Sequence, residues 1–129
     1  MNGAGHDEET LALAHRLLDA ARQGDSALLE SYLAAGVPAA LTSAAGDSLL
    51  MLAAYHGHAD TVRLILKHGG DANAANDRGQ TPLAGAVFKG YTDVVKVLTG
   101  AGADPDAGNP SAREAARMFA RDDIQALLA

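Results

Sequence analysis

Glycine residues recur at a fixed interval in this chain, and that interval is the strongest constraint on its fold. Gly24, Gly57 and Gly90 lie 33 residues apart. The same step separates other sets of similar residues, among them Gly36, Gly69 and Gly102, Ser48 and Thr81, and Asp71 and Asp104. A period of about 20–50 residues indicates an array of supersecondary units, each of which buries its apolar face only against its neighbours.

Apolar residues keep the same interval and predict which face of each unit is buried. They include Ala20-Ala21, Ala53-Ala54 and Ala86-Val87, then Leu29, Val62 and Val95, and then Tyr32, Ile65 and Leu98. A fourth unit is predicted after a step of 29 residues, with Ala115-Ala116, Ile124 and Leu127-Leu128 in the same columns. We therefore expect one domain over 10–129, with repeats at about 10–42, 43–75, 76–106 and 107–129, after a flexible segment over residues 1–9.

The third unit shows most clearly that each repeat is a pair of helices. Thr81 is suited to cap a helix, and Pro82 to occupy its first turn. Gly90 is expected to end that helix, and Asp93 to begin the next one, where its charge favours the N-terminus. Gly102 closes the unit. Helix, turn, helix and loop are therefore predicted to alternate along the chain.

Two stretches resemble ankyrin repeats: 46–73 (GDSLLMLAAYHGHADTVRLILKHGGDAN) and 76–104 (NDRGQTPLAGAVFKGYTDVVKVLTGAGAD). The resemblance implies an all-α solenoid of about four repeats, of a small, stand-alone bacterial type, with short β-hairpin-like loops between helical hairpins. The outer units match less well and are more polar, so we expect them to cap a complete small solenoid. Ala84 and Ser48-Leu49-Leu50-Met51 depart from the T-P-L-H pattern of the family.

Composition excludes several classes of function. Ten basic and 16 acidic residues give a net charge of −6, which argues against a nucleic-acid partner. The absence of Cys rules out disulfides and thiol chemistry. Neither a targeting signal nor an apolar run long enough to span a membrane is present, so we expect a cytoplasmic protein that does not insert into membranes.

Candidates for chemistry have simpler structural explanations. His56 and His58, with His68 nearby, are candidate metal ligands, but His58 occupies the position that starts the second helix of the repeat. No G-x-S-x-G motif occurs, and the pair Asp122-Asp123 is explained by the start of a helix. We therefore expect no catalysis, no cofactor and no metal.

The resemblance to ankyrin repeats implies that partner contacts come from the loop fingers and from the ends of the first helices, on the concave face. The helix-end residues are Arg22-Gln23, Tyr55-His56, Phe88-Lys89 and Arg117-Met118, and the finger residues are Asp47, Asp77, Arg78, Gln80 and, in the last finger, Asp106. The helix-end set is basic and aromatic, which predicts a protein partner with acidic and apolar groups. The alternative is partial burial of Tyr55 and Phe88 between repeats.

The leading functional hypothesis is a monomeric regulator or adaptor that binds a protein. An accessory subunit of a specific enzyme, such as a redox enzyme, is a second hypothesis that the sequence does not separate from the first. A metal or small-molecule binder is a third, which would require an enclosed pocket lined by His56, His58 and an acid.

Overall fold

The chain folds into a stack of helical hairpins. The computed structural model describes the backbone of residues 3–129 and the side chains of residues 8–129. These residues form no extended strand, and they contain eight helices: α1 (Gly3–Gln23), α2 (Ser26–Ala34), α3 (Leu49–Tyr55), α4 (Ala59–Lys67), α5 (Pro82–Lys89), α6 (Thr92–Gly100), α7 (Ala112–Met118) and α8 (Asp122–Leu128).

The helices form two layers, with the first helix of each repeat in one and the second helix in the other. Helices α1, α3, α5 and α7 pack in that order as the inner layer, and α2, α4, α6 and α8 pack as the outer layer. The predicted alanine doublets and their equivalents Ala86 and Val87 are buried in a core that runs the length of the stack. The predicted all-α repeat solenoid is therefore confirmed.

Helix α5 begins and ends where the sequence predicts, between Thr81 and Gly90. Ser48, Thr81 and Ser111 are N-caps, and each hydroxyl accepts a hydrogen bond from the backbone N–H three residues on, at 3.0–3.2 Å. Gly90 closes α5 with a φ of +77°, a left-handed conformation that glycine adopts at little cost.

The register predicted for the fourth repeat is wrong by one residue. The N-cap Ser111 lies 30 residues after Thr81, not 29. The turn between the two helices agrees, since Tyr91 N–H donates to Ala86 O in the third repeat and Arg121 N–H donates to Ala116 O in the fourth. The preceding loop is therefore three residues shorter than its equivalents, and not four residues shorter as the predicted step of 29 implies.

The first helix also differs from its prediction. It begins at Gly3 and so includes most of the segment 1–9 that was expected to precede the repeats. Neither Gly nor Pro occurs from residue 6 to residue 23, so no residue in that stretch breaks the helix. Met1 and Asn2 lie outside the described residues, and the flexibility of the segment stays a prediction.

Successive loops are joined by backbone hydrogen bonds and form a row of fingers beside the inner helices. Asp77 N–H donates to Ala45 O at 3.1 Å, and Asn109 N–H donates to Gly79 O at 3.0 Å. Isolated antiparallel bridges, such as that between Thr42 and Ser48, replace longer strands. The fingers and the inner helices together present one continuous face, which we call the inner face.

Candidate functional site

The C-terminal ends of the inner helices place one pair of side chains per repeat on the inner face. With the corrected register, this helix-end column consists of Arg22-Gln23, Tyr55-His56, Phe88-Lys89 and Met118-Phe119. Arg117, which the sequence analysis included, corresponds to the buried Val87. It is exposed, because no further repeat of the described chain packs against it. Phe119 takes its place in the column.

An open groove of about 290 Å³ follows this column across the last three repeats. It is lined by Met51, Tyr55, Gln80, Ala84, Gly85, Phe88, Pro110, Ala115, Met118 and Phe119. We call it the apolar groove. Phe88, Met118 and Phe119 are 46%, 67% and 44% exposed, and Leu11 is the other exposed large apolar residue among residues 8–129. Such clustering of apolar surface marks an interaction site more often than scattered exposure does.

Aromatic contacts fix the shape of the apolar groove. The rings of Phe88 and Phe119 meet edge to face, with centroids 5.0 Å apart and planes at 74°. The Lys89 ammonium lies 5.1 Å from the centroid of the Tyr55 ring, within cation–π range. A methyl group at Gly85 would lie 3.0 Å from Tyr55 Cδ1. This glycine, inside α5, therefore lets the Tyr55 ring approach the helix.

Positive groups converge on the neighbouring part of the helix-end column. Partial burial lowers the pKa of His56, and the nearby charges of His58, Lys89 and Arg22 lower it further. The His56 Nδ1–H donates to Leu52 O at 3.1 Å. Repulsion among these groups favours a neutral imidazole in His56 and leaves Lys89 and Arg22 as the permanent cations.

A second column of equivalent residues joins each repeat to the one before it. It consists of His58, Tyr91 and Arg121, and we call it the joint column. A methyl group at Gly24 would lie 2.6 Å from the His58 ring, one at Gly57 3.1 Å from the Tyr91 ring, and one at Gly90 3.0 Å from the Arg121 guanidinium. The glycines of the 33-residue period are therefore the surfaces on which the following repeat docks.

Two members of the joint column also bond to the preceding helix end. His58 Nε2–H donates to Arg22 O at 2.8 Å, and Arg121 Nη2–H donates to Phe88 O at 3.2 Å. His58 is the N-cap residue of α4, but its side chain makes no capping bond. Its side chain thus links repeats, which the sequence analysis did not predict.

The predicted finger residues divide into two classes. Asp47 and Gln80 are half-buried, and both accept a hydrogen bond from the buried Asn76 Nδ2, each at 2.8 Å. Asp77 and Arg78 are exposed at the finger tip. The bond to Asp47 joins two fingers, and the bond to Gln80 lies within one finger. Asp106 is also bonded within the chain, since it accepts a bond from Arg113 Nε at 2.9 Å. Asp77 and Arg78 are the predicted finger residues that are free to contact a partner.

Known proteins with similar sequences identify the architecture. A family model described as ankyrin repeats, in three copies, matches residues 17–109. The chain belongs to the ankyrin-repeat family. A protein of Pseudomonas aeruginosa that carries the name of an ankyrin repeat protein is 60% identical over 58 residues, which make up 45% of this chain and 34% of that relative. The chain thus spans about a third of the length of the curated relative that it matches.

The remaining histidines of this ankyrin-repeat chain do not converge. His68 Nε2 lies 2.7 Å from Glu30 Oε2 and so links the end of α4 to α2, whereas His58 bonds to Arg22 O at the end of α1. Within the part of the chain whose side chains are described, no three His, Asp or Glu residues are grouped to hold a metal ion. His6 lies outside those residues.

No helix of the described chain is both long and apolar enough to cross a membrane.

Proposed function

We propose that this ankyrin-repeat chain is a non-catalytic protein-binding module that engages its partner through the helix-end column and the apolar groove. The observation that carries this proposal is the concentration of exposed Phe88, Met118 and Phe119 in one groove of the inner face. Ankyrin repeats generally mediate contacts between proteins, which supports the same role. The chain then acts as a small monomeric regulator or adaptor in the cytoplasm.

The chemistry of the surface selects the kind of partner. Aromatic residues, Met and Arg are enriched where protein interfaces are most buried, and the helix-end column contains each of these types. Lys89 and Arg22 make the column locally basic, although the chain carries a net charge of −6. A protein with both acidic and apolar groups fits this surface, whereas nucleic acid would be repelled by the overall charge.

Charge reversal at the helix-end column tests the proposal. The chain and its Arg22→Glu/Lys89→Glu variant are used to capture proteins from the source cell, and the recovered partner is then purified and titrated. We expect the variant to bind at least about tenfold more weakly, because two favourable pairs become repulsive. Its melting temperature should change little.

The control reverses two exposed charges on the outer layer, Lys67→Glu and Lys96→Glu, and should bind as the unmodified chain does. Equal binding by all three proteins would show that the inner face is not the site. If the recovered partner is a single stoichiometric enzyme, the chain is an accessory subunit of that enzyme, which was the second hypothesis.

A further inference from the structure

The size of the apolar groove limits what enters it. Sites for small molecules and cofactors have volumes of about 300–1,000 Å³ and bury most of the ligand. At about 290 Å³ and open to solvent, the apolar groove is at the bottom of that range. It matches the case in which one or two anchor side chains of a partner fill a pocket and the rest of the partner lies across the rim.

The floor and walls of the groove suit one bulky apolar side chain. Ala84 and Gly85 of α5 line the groove with no side chain larger than a methyl group, and the Tyr55 ring lies against Gly85. Tyr55, Phe88 and Met118 form the walls, one from each of three successive repeats. Aromatic and thioether walls are polarisable and favour an aromatic or long aliphatic side chain.

The rim of the groove carries an uncompensated positive charge. Lys89 lies over the Tyr55 ring, at one edge of the groove. The ion pairs found among residues 8–129 are Asp19–Arg22, Asp60–Arg63 and Asp106–Arg113, and Glu30 is hydrogen-bonded to His68. None of these pairs neutralises Lys89.

Three carboxylates near the inner face, those of Asp19, Asp47 and Glu114, have partners within the chain. Asp47 accepts a bond from Asn76 Nδ2, and Asp19 pairs with Arg22 at 2.6 Å. Glu114 accepts a bond from the backbone N–H of Ser111 in a capping box, which lowers its pKa. None of these three carboxylates pairs with Lys89, so a carboxylate from the partner would meet an ammonium group without an acidic neighbour in an ion pair.

From this arrangement we infer the occupant of the groove: a peptide segment of the partner whose single large apolar side chain inserts between Tyr55, Phe88 and Met118, with an Asp or Glu a few residues away that pairs with Lys89. The inference rests on the proposed function and adds to it the recognition element of the partner. Phe88 and Met118 are then the residues that determine specificity for the anchor, and Lys89 the one that determines specificity for the acid.

The test uses a displayed library of random dodecapeptides, selected on the full chain and, in parallel, on its Lys89→Glu variant. Enrichment of sequences with an aromatic or Leu residue near Asp or Glu is expected on the unmodified chain only. A synthetic selected peptide should bind Lys89→Glu about five- to tenfold more weakly, an effect that added salt reduces. Phe88→Ser should weaken binding by at least about tenfold.

Lys96→Glu, which makes the same charge change on the outer layer of the same repeat, should bind the peptide normally. Selected peptides that lack acidic residues, peptides that ignore Lys89 and Phe88, or no enrichment at all would each overturn the inference. These results are independent of partner capture by the full chain. A captured partner that responds to Arg22→Glu/Lys89→Glu but carries no such segment would refute the inference and leave the proposed function intact.

Discussion

The joint column and the helix-end column repeat at the same interval, yet the molecule uses them in opposite ways. His58, Tyr91 and Arg121 of the joint column pack against the glycine of the preceding repeat and are held between repeats. In the helix-end column, by contrast, Phe88 and Met118 remain 46% and 67% exposed. The two columns lie only a few residues apart in each repeat.

The difference shows that equal spacing establishes structural equivalence but not function. The joint column varies between His, Tyr and Arg because any flat side chain that can lie on a glycine serves there. In the helix-end column, Tyr55 packs against Gly85 of the next repeat, whereas Phe88 and Met118 remain largely exposed, so packing constrains this column less than the joint column. The two columns therefore make opposite predictions for stability and for binding.

The largest loss of stability is expected from a substitution at Gly24, the glycine on which His58 of the joint column packs. Gly24→Ala should lower the free energy of unfolding by about 3 kcal/mol, because a left-handed alanine costs about 1–2 kcal/mol and its methyl group would lie 2.6 Å from the His58 ring. Gly79→Ala is the matched control, since its φ of +77° is close to the +74° of Gly24 and nothing lies within 4 Å of its added methyl group.

Urea denaturation of the Gly24→Ala and Gly79→Ala variants gives the loss of unfolding free energy in each. The control should lose only about 1 kcal/mol, the cost of the backbone conformation alone. The chain offers a natural precedent in Ala120, which corresponds to Gly90 and has a φ of +50° where no further repeat of the described chain docks. Equal losses in the two variants would mean that the joint column does not hold the repeats together.

The next largest change in unfolding free energy distinguishes two adjacent residues of α5, Val87 and Phe88. Val87 is fully buried between repeats, and Phe88 is exposed beside it. Val87→Ala should cost about 2 kcal/mol of unfolding free energy and leave partner binding intact, whereas Phe88→Ala should cost at most about 1 kcal/mol and impair binding. Thermal denaturation and titration with the partner measure both quantities. A Phe88→Ala loss as large as that of Val87→Ala would place Phe88 in the core.

Most of the fold was predictable because its determinants are local and periodic. N-caps such as Thr81 and left-handed positions such as Gly90 are visible as residue types at fixed intervals. The predicted register of the fourth repeat is wrong because Ala120 stands where the other repeats have the helix-ending glycine. The capping box of Ser111 and Glu114 indicates the correct register.

The surface was less predictable, because its state depends on contacts between distant residues. Asp47 looks free in the sequence but accepts a bond from Asn76, 29 residues on, and that bond depends on two fingers lying side by side. The sequence does not predict the joint column, because His58, Tyr91 and Arg121 share no chemical class. The Gly85 contact with Tyr55 also joins separate repeats, and an isolated glycine in a helix is its only sequence signal.

A smaller effect distinguishes two histidines that lie two residues apart. His58→Ala removes the contact with Gly24 and the bond to Arg22 O, which should cost about 1–2 kcal/mol of unfolding free energy. His56→Ala removes an exposed ring and should change stability by less than about 0.5 kcal/mol. Chemical denaturation of both variants at pH 7.5 gives the two values. A larger loss of stability in His56→Ala than in His58→Ala would mean that His56, and not His58, joins the second repeat to the first.

The smallest effect is the pH dependence that His56 adds. Its pKa is lowered from 6.5 in the folded chain by partial burial and then by the charges of His58, Lys89 and Arg22. Because the unfolded chain takes up this proton more readily, the His56 contribution is complete above pH 6.5 and is lost as the pH falls through 6.5 to the lower folded value. Removing the titrating group with His56→Gln should therefore make the unfolding free energy less sensitive to a change from pH 7.5 to pH 5.5.

The same measurement on Lys89→Gln should show a weaker change in the same direction, because only one of the repelling charges is removed. An unchanged pH dependence in His56→Gln would mean that the imidazole is as easily protonated in the folded helix-end column as in the unfolded chain.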